Sequence, residues 1–432
     1  MKKISLVIAL TTCISVLTLS GQYEKPGKFG PGDKVYSGVN IHFTTGHEKD
    51  LDMIAAAGFK IIRMDFAWQS TEKEKGVYDW SAYDELTANL NKRGIRALYI
   101  LDYSNSLYEE QTESKDPISG QITKSVAAPN DEESVAAFAK WAAASALHFR
   151  GNNIIWEIWN EPNINFWRPA PDVEQYNKLA AATCKAIRKA VPEAIIIGPA
   201  TSQLPVSFIE AFLASGIAEY IDAVSVHPYR RYNLSPETVA EDYNRIRELI
   251  TKYTPAGRSE IPIVSGEWGY SSSSKGVSVE TQAAYIVRMQ LANLVYRIPF
   301  SIWYDWKNDG PDPDEHEHNF GTVTNDLAPK PAYTAIKNMN DQLRDFTLVR
   351  RVDVRRSNDF VLLFRDDKGN KKIAAWTTEV PHTVILDESE LKKYTGMTAR
   401  DWEGNELNVV TDQGKVVVNL GPYPQYILFP GR

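Results

Sequence analysis

Cysteine is almost absent from this chain, with only Cys13 and Cys184 among 432 residues. Cys13 lies in the first 21 residues, which have the features of a secretory signal: Lys2 and Lys3 precede an apolar stretch, and Thr18-Leu-Ser20 offers a cleavage site. Once that segment is removed, a disulfide within the chain is excluded, and no Cys/His spacing predicts zinc. A large apolar core must therefore stabilise the exported protein, with Cys184 expected as a buried, inert thiol.

Long apolar runs and excess positive charge are also lacking. The stretch from Ile4 to Leu19 is short and broken by Thr and Ser, which favours a cleaved signal, and a secreted or periplasmic protein, over a membrane anchor. Leu10-Thr-Thr-Cys13 loosely resembles a lipoprotein cleavage box, so lipid attachment at Cys13 is the alternative. The net charge of −7 argues against nucleic acid as the main partner. We expect a monomer with no cofactor and no membrane-spanning segment in the mature chain.

Short apolar runs alternate with segments of helical periodicity from residue 35 to about residue 346. The runs lie at 38–43, 60–64, 96–101, 154–159, 194–198, 222–226, 261–265 and 299–304. The helical segments lie at 47–58, 80–93, 131–149, 171–190, 204–219, 236–253, 279–297 and 330–345. Eight such units predict an α/β fold, a (β/α)8 TIM barrel whose strands are covered by helices. A doubly wound open sheet is the alternative, but no Gly-rich nucleotide loop follows the first strand.

The pattern changes after residue 346. Phe360–Arg365 and Lys372–Thr377 flank a turn-rich connection, which predicts a hairpin, and further strands are predicted at 382–387, 397–403, 406–411, 415–419 and 425–430. We therefore predict three parts: a signal peptide at 1–21, the barrel domain at 22–346, and a small all-β sandwich at 347–432. A sandwich of this size should pack against the barrel, because a small domain buries too little surface to be stable alone.

Two glutamates close apolar runs 106 positions apart. Glu161 ends the fourth run, in Ile154-Ile-Trp-Glu-Ile-Trp-Asn-Glu-Pro-Asn163, and Glu267 ends the seventh, in Ile261-Pro-Ile-Val-Ser-Gly-Glu-Trp-Gly-Tyr270. Barrels present their chemistry at the carboxyl ends of the strands. A carboxyl pair at that position, flanked by tryptophans, meets the requirement of glycoside hydrolysis for one acid and one nucleophile or base. The alternative for each glutamate is a buried ion pair that supports the barrel.

Other strand ends carry polar or aromatic residues that we predict to bind substrate: Arg63, Trp68, Asn160, His227, Tyr229, Trp268 and Trp303. The alternative for Arg63 is bridging loops, with the site favoured because strand ends of barrels are functional, and the alternative for His227 is orienting neighbouring carboxylates. Five aromatic residues are candidates for platforms under further sugar rings, although loop packing explains any one of them as well: Trp68, Phe166, Trp167, Trp268 and Trp306.

These motifs together resemble glycoside hydrolase clan A, with likeness to its families 39 and 5. The resemblance rests on Trp159-Asn-Glu-Pro-Asn163, His227-Pro-Tyr229, Gly266-Glu-Trp-Gly269, Trp303 and the segment 321–333, and it spans residues 38–346. It implies a retaining mechanism with Glu161 as general acid/base and Glu267 as nucleophile, on carboxyls about 5–5.5 Å apart. It also implies that Asn160 contacts the sugar 2-hydroxyl and that Trp303 stacks beneath the sugar. In place of the His that family 5 shows after strand three, this chain has Asp102-Tyr103.

Two other functions remain open from the sequence. A non-catalytic glycan-binding protein on the same barrel would bind oligosaccharides without turnover, and one of the two glutamates would be expected to be replaced. A barrel enzyme for phosphorylated metabolites would need a phosphate loop after strands seven and eight, for which Gly269–Ser274 is the candidate. The acidic and His-containing segment 312–318 could bind a cation, but a solvated loop is favoured because its spacing matches no standard metal-site motif. We therefore predict no metal.

Overall fold

The computed structural model describes residues 28–115, 122–386 and 396–431. Eight parallel strands form a closed barrel: β1 (Ser37–Asn40), β2 (Ile61–Ala67), β3 (Arg96–Asp102), β4 (Ile155–Ile158), β5 (Ile195–Ser202), β6 (Ala223–His227), β7 (Ile263–Trp268) and β8 (Ser301–Trp303). They follow one another around the ring in chain order, and β8 pairs with β1. The predicted TIM barrel is confirmed. The predicted signal segment and Cys13 lie outside the described residues.

One main helix follows each strand on the outside of the barrel: α1 (Glu48–Ala56), α2 (Ser81–Lys92), α3 (Glu132–His148), α4 (Val173–Ala190), α5 (Val206–Ala214), α6 (Ala240–Tyr253), α7 (Val279–Val295) and α8 (Pro331–Leu343). Local chemistry sets several helix starts. The Asp131 carboxylate accepts the Ser134 backbone N–H at 2.8 Å, and Asp172 caps α4 in the same way. Proline takes the first position of α8, where its missing N–H costs nothing.

The barrel interior is layered, and the layers decide where polar groups can stand. Its lower layer is apolar and includes Ile61, Leu98, Ile155, Ile197, Ala223, Val264 and Ile302. Side chains two residues apart on a strand share a face. Arg63, Glu157 and Ser225 therefore stand one layer above Ile61, Ile155 and Ala223, toward the carboxyl ends of β2, β4 and β6. All three are fully buried.

Several short elements decorate the barrel. One-turn helices occur at Trp68–Thr71, Ile217–Glu219, Pro236–Val239 and Glu317–Asn319. Two small hairpins, which the sequence patterns did not predict, pair Glu72–Glu74 with Val77–Tyr78 and Gln111–Lys115 with Ile122–Val126. They extend the connections that follow β2 and β3.

The carboxyl-terminal part is antiparallel β structure with strands β9 (Thr347–Arg351), β10 (Asp359–Arg365), β11 (Lys371–Thr377), β12 (His382–Leu386), β13 (Thr398–Arg400), β14 (Glu406–Leu407), β15 (Val410–Asp412), β16 (Lys415–Leu420) and β17 (Gln425–Phe429). They form a six-stranded sheet in the order β9-β10-β11-β17-β13-β14 and a three-stranded sheet in the order β12-β16-β15. Two details differ from the prediction. Strand β9 was missed, and the run predicted at 406–411 divides between the two sheets.

The six-stranded sheet has two buried faces. Val361, Leu363 and Ile373 face the smaller sheet and form a core with Val416 and Val418. The alternate residues Phe360, Leu362, Phe364 and Trp376 belong to the core that surrounds the barrel. The sheet is therefore packed against the barrel by the strict alternation of its strands.

Two further sequence expectations concern membranes and the remaining thiol. Within the described ranges, no helix has both the length and the apolar character needed to cross a bilayer. Cys184 is fully buried on α4, and burial raises the pKa of its thiol to about 12. A thiol that stays protonated is a poor nucleophile, as expected for an inert core position.

Candidate active site

Glu161 and Glu267 converge at the mouth of the barrel. Glu161 follows β4 and Glu267 lies near the end of β7, and their exposed fractions are only 7% and 9%. One carboxyl oxygen from each, together with a ring nitrogen of His227, lie within 4.8 Å of one another. This oxygen-to-oxygen approach agrees with the carboxyl separation of about 5–5.5 Å that is typical of retaining glycosidases.

Glu267 is held by two strong donors. The Arg63 guanidinium donates from Nη1 to Oε2 at 2.6 Å, and the Tyr229 hydroxyl donates to Oε1 at 2.7 Å. Burial raises the pKa of Tyr229 well above its usual value, and the charge of Glu267 raises it further. Tyr229 therefore stays a donor. Donors therefore hold both oxygens of the Glu267 carboxyl in place.

Arg63 organises the rest of the site. Its Nε donates to Glu157 Oε2 at 2.6 Å and its Nη2 to Asn160 Oδ1 at 2.8 Å. Burial disfavours the charge on Arg63, but Glu157 and Glu267 together hold its pKa above the ordinary value. The guanidinium is therefore a permanent cation shared between the carboxyl groups of Glu157 and Glu267.

The contacts of His227 determine which ring nitrogen carries hydrogen. Arg63 Nη2 lies 3.2 Å from Nε2, and His227 Nδ1 lies 2.9 Å from Glu161 Oε1. Because a guanidinium can only donate, Nε2 must accept, and the hydrogen of the neutral ring sits on Nδ1. His227 therefore donates to Glu161 Oε1, which orients this carboxyl and leaves Oε2 as the oxygen that can carry a proton.

The backbone around Glu161 is strained. Trp159 and Glu161 have φ values of +66° and +47°, in the left-handed region that residues other than Gly and Asn rarely adopt. The Glu161 N–H donates to the carbonyl of Ala200, itself at φ +53°, at 2.9 Å. Strain of this kind persists only where the surroundings impose it, and it clusters at functional sites.

Asn160 is tied into the same network from both ends of its amide. Its Oδ1 accepts from Arg63, and its Nδ2 donates to the Tyr103 hydroxyl at 2.7 Å. An amide nitrogen has two hydrogens, and Tyr103 takes one. The second hydrogen has no acceptor among the described residues.

The predicted site residues divide into two groups. The structure brings Arg63, Asn160, Glu161, His227, Tyr229 and Glu267 into one network. The tryptophans differ, because Trp68, Trp268 and Trp303 have no exposed surface. Trp68 stacks on Tyr108, and Trp303 donates from Nε1 to the Phe320 carbonyl at 3.3 Å. A fully covered ring has no face for a sugar, so the structure does not support the predicted stacking by these three in this conformation.

Sequence reasoning missed three residues around the site: Asn40, whose Oδ1 accepts from Arg63 Nη1 at 3.4 Å, Glu157 and His42. Tyr103 and Asp305 stand at strand ends in the sequence but were not among the residues predicted to bind substrate. Glu157 had a usable signal, since it is a lone charge inside the apolar run Ile154–Trp159. Its other oxygen accepts from the Ser225 hydroxyl. His42 and Asp305, at the ends of β1 and β8, lie 3.1 Å apart. Burial lowers the pKa of His42, but the bond to Asp305 and the surrounding carboxylates outweigh it and raise the pKa to about 9.

The geometry also bears on metal and phosphate. Among the described residues, Glu161, His227 and Glu267 are the one cluster of three potential ligands, and segment 312–318 forms none. The Arg63 cation already contacts Glu267 and His227 there, and its charge disfavours a second cation. In the predicted phosphate loop, the Ser271 and Ser272 hydroxyls donate to the carbonyls of His316 and Asn319 at 2.7 and 3.0 Å. They hold the neighbouring loop.

Comparison with known proteins finds that the chain is similar to glycosidases. The family model described as Cellulase (glycosyl hydrolase family 5) matches residues 30–310. A β-xylosidase of Geobacillus stearothermophilus is 27% identical over 214 residues, which are 44% of this chain and 42% of that protein. The chain thus matches less than half the length of this curated relative.

Solved structures share the fold over nearly the whole chain. A family 39 glycoside hydrolase from the gut symbiont Bacteroides cellulosilyticus WH2 superposes with a TM-score of 0.77 at 26% identity, covering 94% of this chain and 82% of that one. A family 39 β-xylosidase from Caulobacter crescentus gives a TM-score of 0.66 at 19% identity, covering 92% and 97%. The second likeness shows the fold alone.

Proposed function

The chain belongs to the cellulase family, glycosyl hydrolase family 5, and we propose that it is an enzyme that hydrolyses β-glycosidic bonds with retention of anomeric configuration. The expected resemblance to clan A is confirmed. The observation that carries the proposal is the approach of a Glu161 oxygen and a Glu267 oxygen within 4.8 Å at the barrel mouth. At that spacing, one carboxylate can attack the sugar while the other protonates the leaving oxygen.

Glu267 is the proposed nucleophile. Arg63 and Tyr229 hold its two oxygens, so that its carboxylate can attack the anomeric carbon as the glycosidic C–O bond breaks. Glu161 gives its proton to the departing oxygen in the same step. A water then loses a proton to Glu161 and attacks the anomeric carbon, which releases Glu267 as a carboxylate. The sequence of steps returns both groups to their starting states.

Three residues position these groups in the proposed mechanism. His227 orients Glu161 through its Nδ1–H. Asn160 uses its remaining amide hydrogen on the sugar 2-hydroxyl, a bond that strengthens as positive charge develops on the sugar ring. Glu157 holds the other side of Arg63 and so aims its Nη1 at Glu267. Trp303 contributes packing beneath the site.

The substrate and setting are proposed at a coarser level. Because the curated relative is a β-xylosidase, β-xylosides are the first substrates to test, within a panel of plant and microbial oligo- and polysaccharides. The signal-like start of the chain supports a secreted or periplasmic protein that meets carbohydrate outside the cytoplasm. We propose that it acts as a monomer without a cofactor.

The central test replaces each glutamate. Glu267→Gln and Glu161→Gln should each reduce hydrolysis by at least about a thousandfold without changing the thermal unfolding temperature greatly, because each change removes a reacting group and keeps the side-chain shape. Azide should restore turnover of an activated aryl glycoside by Glu161→Ala, with a β-glycosyl azide as product. NMR of the first product formed by the wild-type protein should show the β anomer.

The same measurements expose failure. Wild-type turnover by a Glu267→Gln preparation free of contaminating enzyme would reject the nucleophile assignment. An α anomer as first product would reject retention. Oligosaccharide affinity without any turnover by the wild-type protein would favour the non-catalytic glycan-binding alternative.

A further inference from the structure

The five aromatic residues suggested as sugar platforms differ sharply in exposure. Trp68, Trp167, Trp268 and Trp306 are at most 1% exposed, whereas Phe166 is 41% exposed. A sugar can stack only on a ring whose face is accessible. Phe166 is therefore the one member of this set that offers such a face in the structure.

Phe166 is held firmly, although it is exposed. Two consecutive tight turns carry the chain from Glu161 to Trp167: the Ile164 N–H donates to the Glu161 carbonyl at 3.1 Å, and the Trp167 N–H donates to the Ile164 carbonyl at 3.0 Å. The Phe166 carbonyl accepts from Trp159 Nε1 at 3.2 Å. The backbone that carries the ring is thereby held in place.

The Phe166 ring also contacts a residue that is hydrogen-bonded to the proposed catalytic network. Phe166 stacks on Tyr103 with ring centroids 5.8 Å apart and an interplanar angle of 24°. The Tyr103 hydroxyl accepts from Asn160, the residue that precedes Glu161. One face of Phe166 is thus backed by Tyr103, which leaves the remainder open to solvent at the mouth. A rigid aromatic surface of this kind loses little conformational freedom when it binds a ligand.

The chemistry of Glu161 determines which sugar would meet this surface. In the proposed function, Glu161 protonates the departing oxygen, so the departing sugar must lie over the end of β4 and the loop that follows it. Phe166 lies in that loop. Strand β8, with the His42–Asp305 pair beside it, lies on the opposite side of the barrel. We propose that Phe166 is the stacking surface for the departing sugar and so helps to select the leaving group. This inference rests on the proposed hydrolase activity.

The test compares substrates with and without a departing ring. One is a β-linked disaccharide that the wild-type protein cleaves, xylobiose in the first instance, and the other is the β-glycosyl fluoride of the same sugar. For Phe166→Ala, the ratio of kcat/KM for the disaccharide to kcat/KM for the fluoride should fall about tenfold, as expected for the loss of one good ring contact. Phe166→Tyr should keep the wild-type ratio. Phe166→Leu should behave like Phe166→Ala, because it retains apolar packing on Tyr103 without a flat face.

Leu147→Ala is the matched control, since Leu147 is a 52% exposed apolar residue on α3. It should leave the ratio unchanged. Equal losses on both substrates in Phe166→Ala would mean that Phe166 acts only by supporting Tyr103 and Asn160, and would overturn the proposal. A wild-type ratio in Phe166→Leu would also overturn it. Failure of the hydrolase activity itself would appear differently, as a wild-type protein that cleaves neither substrate.

Discussion

In the part of the chain that the structure describes, two buried clusters pair arginine with glutamate, and they are organised differently. At the mouth of the barrel, Arg63 is shared between Glu157 and Glu267, with Glu161 nearby. Where the six-stranded sheet meets the barrel, Arg288 pairs with Glu237 alone, through two bonds of 2.7 and 2.8 Å. The Trp376 ring of the sheet donates to the same carboxylate at 2.7 Å.

In the proposed function, the first cluster serves the reaction and the second only the interface between the sheet and the barrel. Burial raises the pKa of Glu237, but Arg288 outweighs it and the net pKa lies below the usual value. That pair is balanced, one cation to one anion, and every contact is internal. The mouth contains more carboxyl groups than cations, and its surplus faces the opening. A buried surplus of charge lowers stability. Such arrangements cluster at functional sites, where the chemistry requires them.

Removing each arginine should expose this contrast most strongly. Arg63→Met and Arg288→Met should each lower the free energy of unfolding by about 3–5 kcal/mol, because each leaves a buried carboxylate without its cation. Urea unfolding measures that loss. Only Arg63→Met should also reduce kcat, by at least about a hundredfold, since Glu267 loses the guanidinium donor that holds its Oε2 in place. A comparable fall in kcat for folded Arg288→Met would erase the distinction between the two clusters.

Replacing one glutamate partner of each arginine as well should give effects of intermediate size on the free energy of unfolding. Arg288→Met with Glu237→Gln should regain most of the lost unfolding free energy, because no buried charge remains and the Gln oxygen still accepts from Trp376. Arg63→Met with Glu157→Gln should regain only part, since Glu267 stays charged without a cation. Double-mutant analysis by urea unfolding gives both values. Equal recovery at the two places would show that Glu267 does not depend on Arg63.

Acid should affect the interface through Glu237. Its folded-state pKa is lowered, so its contribution to stability is complete above its unfolded pKa of about 4.3 and is lost as the pH falls below that value. The free energy of unfolding between pH 6 and pH 3 should fall less steeply in the Arg288→Met, Glu237→Gln protein than in the wild type. Identical slopes would remove Glu237 from the acid response.

The smallest expected effect is on stability at alkaline pH, through His42 at the mouth of the barrel. The pKa of His42 is raised to about 9, so the stabilisation by its charge is complete below about pH 6.5 and is lost as the pH rises through 9. The side chain is 41% exposed, so screening keeps the effect small. His42→Asn should flatten the decline of the melting temperature between pH 6.5 and pH 10. An unchanged decline would assign it to other groups.

The sequence predicted the fold and the convergence of the polar strand ends because both follow from periodicity. Apolar runs separated by helical segments of the right length imply closure, and closure brings the ends of β4 and β7 to one mouth. The hairpins after β2 and β3 were missed because their short, polar strands have no periodic apolar signal. Strand β9 was missed for a similar reason, since Thr347–Arg351 is charged at two of its five positions.

The individual contacts depended on three-dimensional packing. Trp303 and Phe166 both looked like platforms, yet neighbouring loops cover the first and leave the second open, and exposure is not encoded in the identity of a ring. Glu157 became visible as a partner only when β2 and β4 placed it against Arg63.

The local sequence pattern was thus sufficient to predict a barrel with two glutamates at its mouth. The periods of strands and helices and the residues at strand ends are properties of the linear chain. Only the tertiary structure decided which nitrogen of His227 carries the hydrogen, that Arg63 is shared between Glu157 and Glu267, and which aromatic rings are exposed. Those properties arise between residues far apart in sequence, where distances of a few tenths of an ångström and the coverage by a loop decide the chemistry.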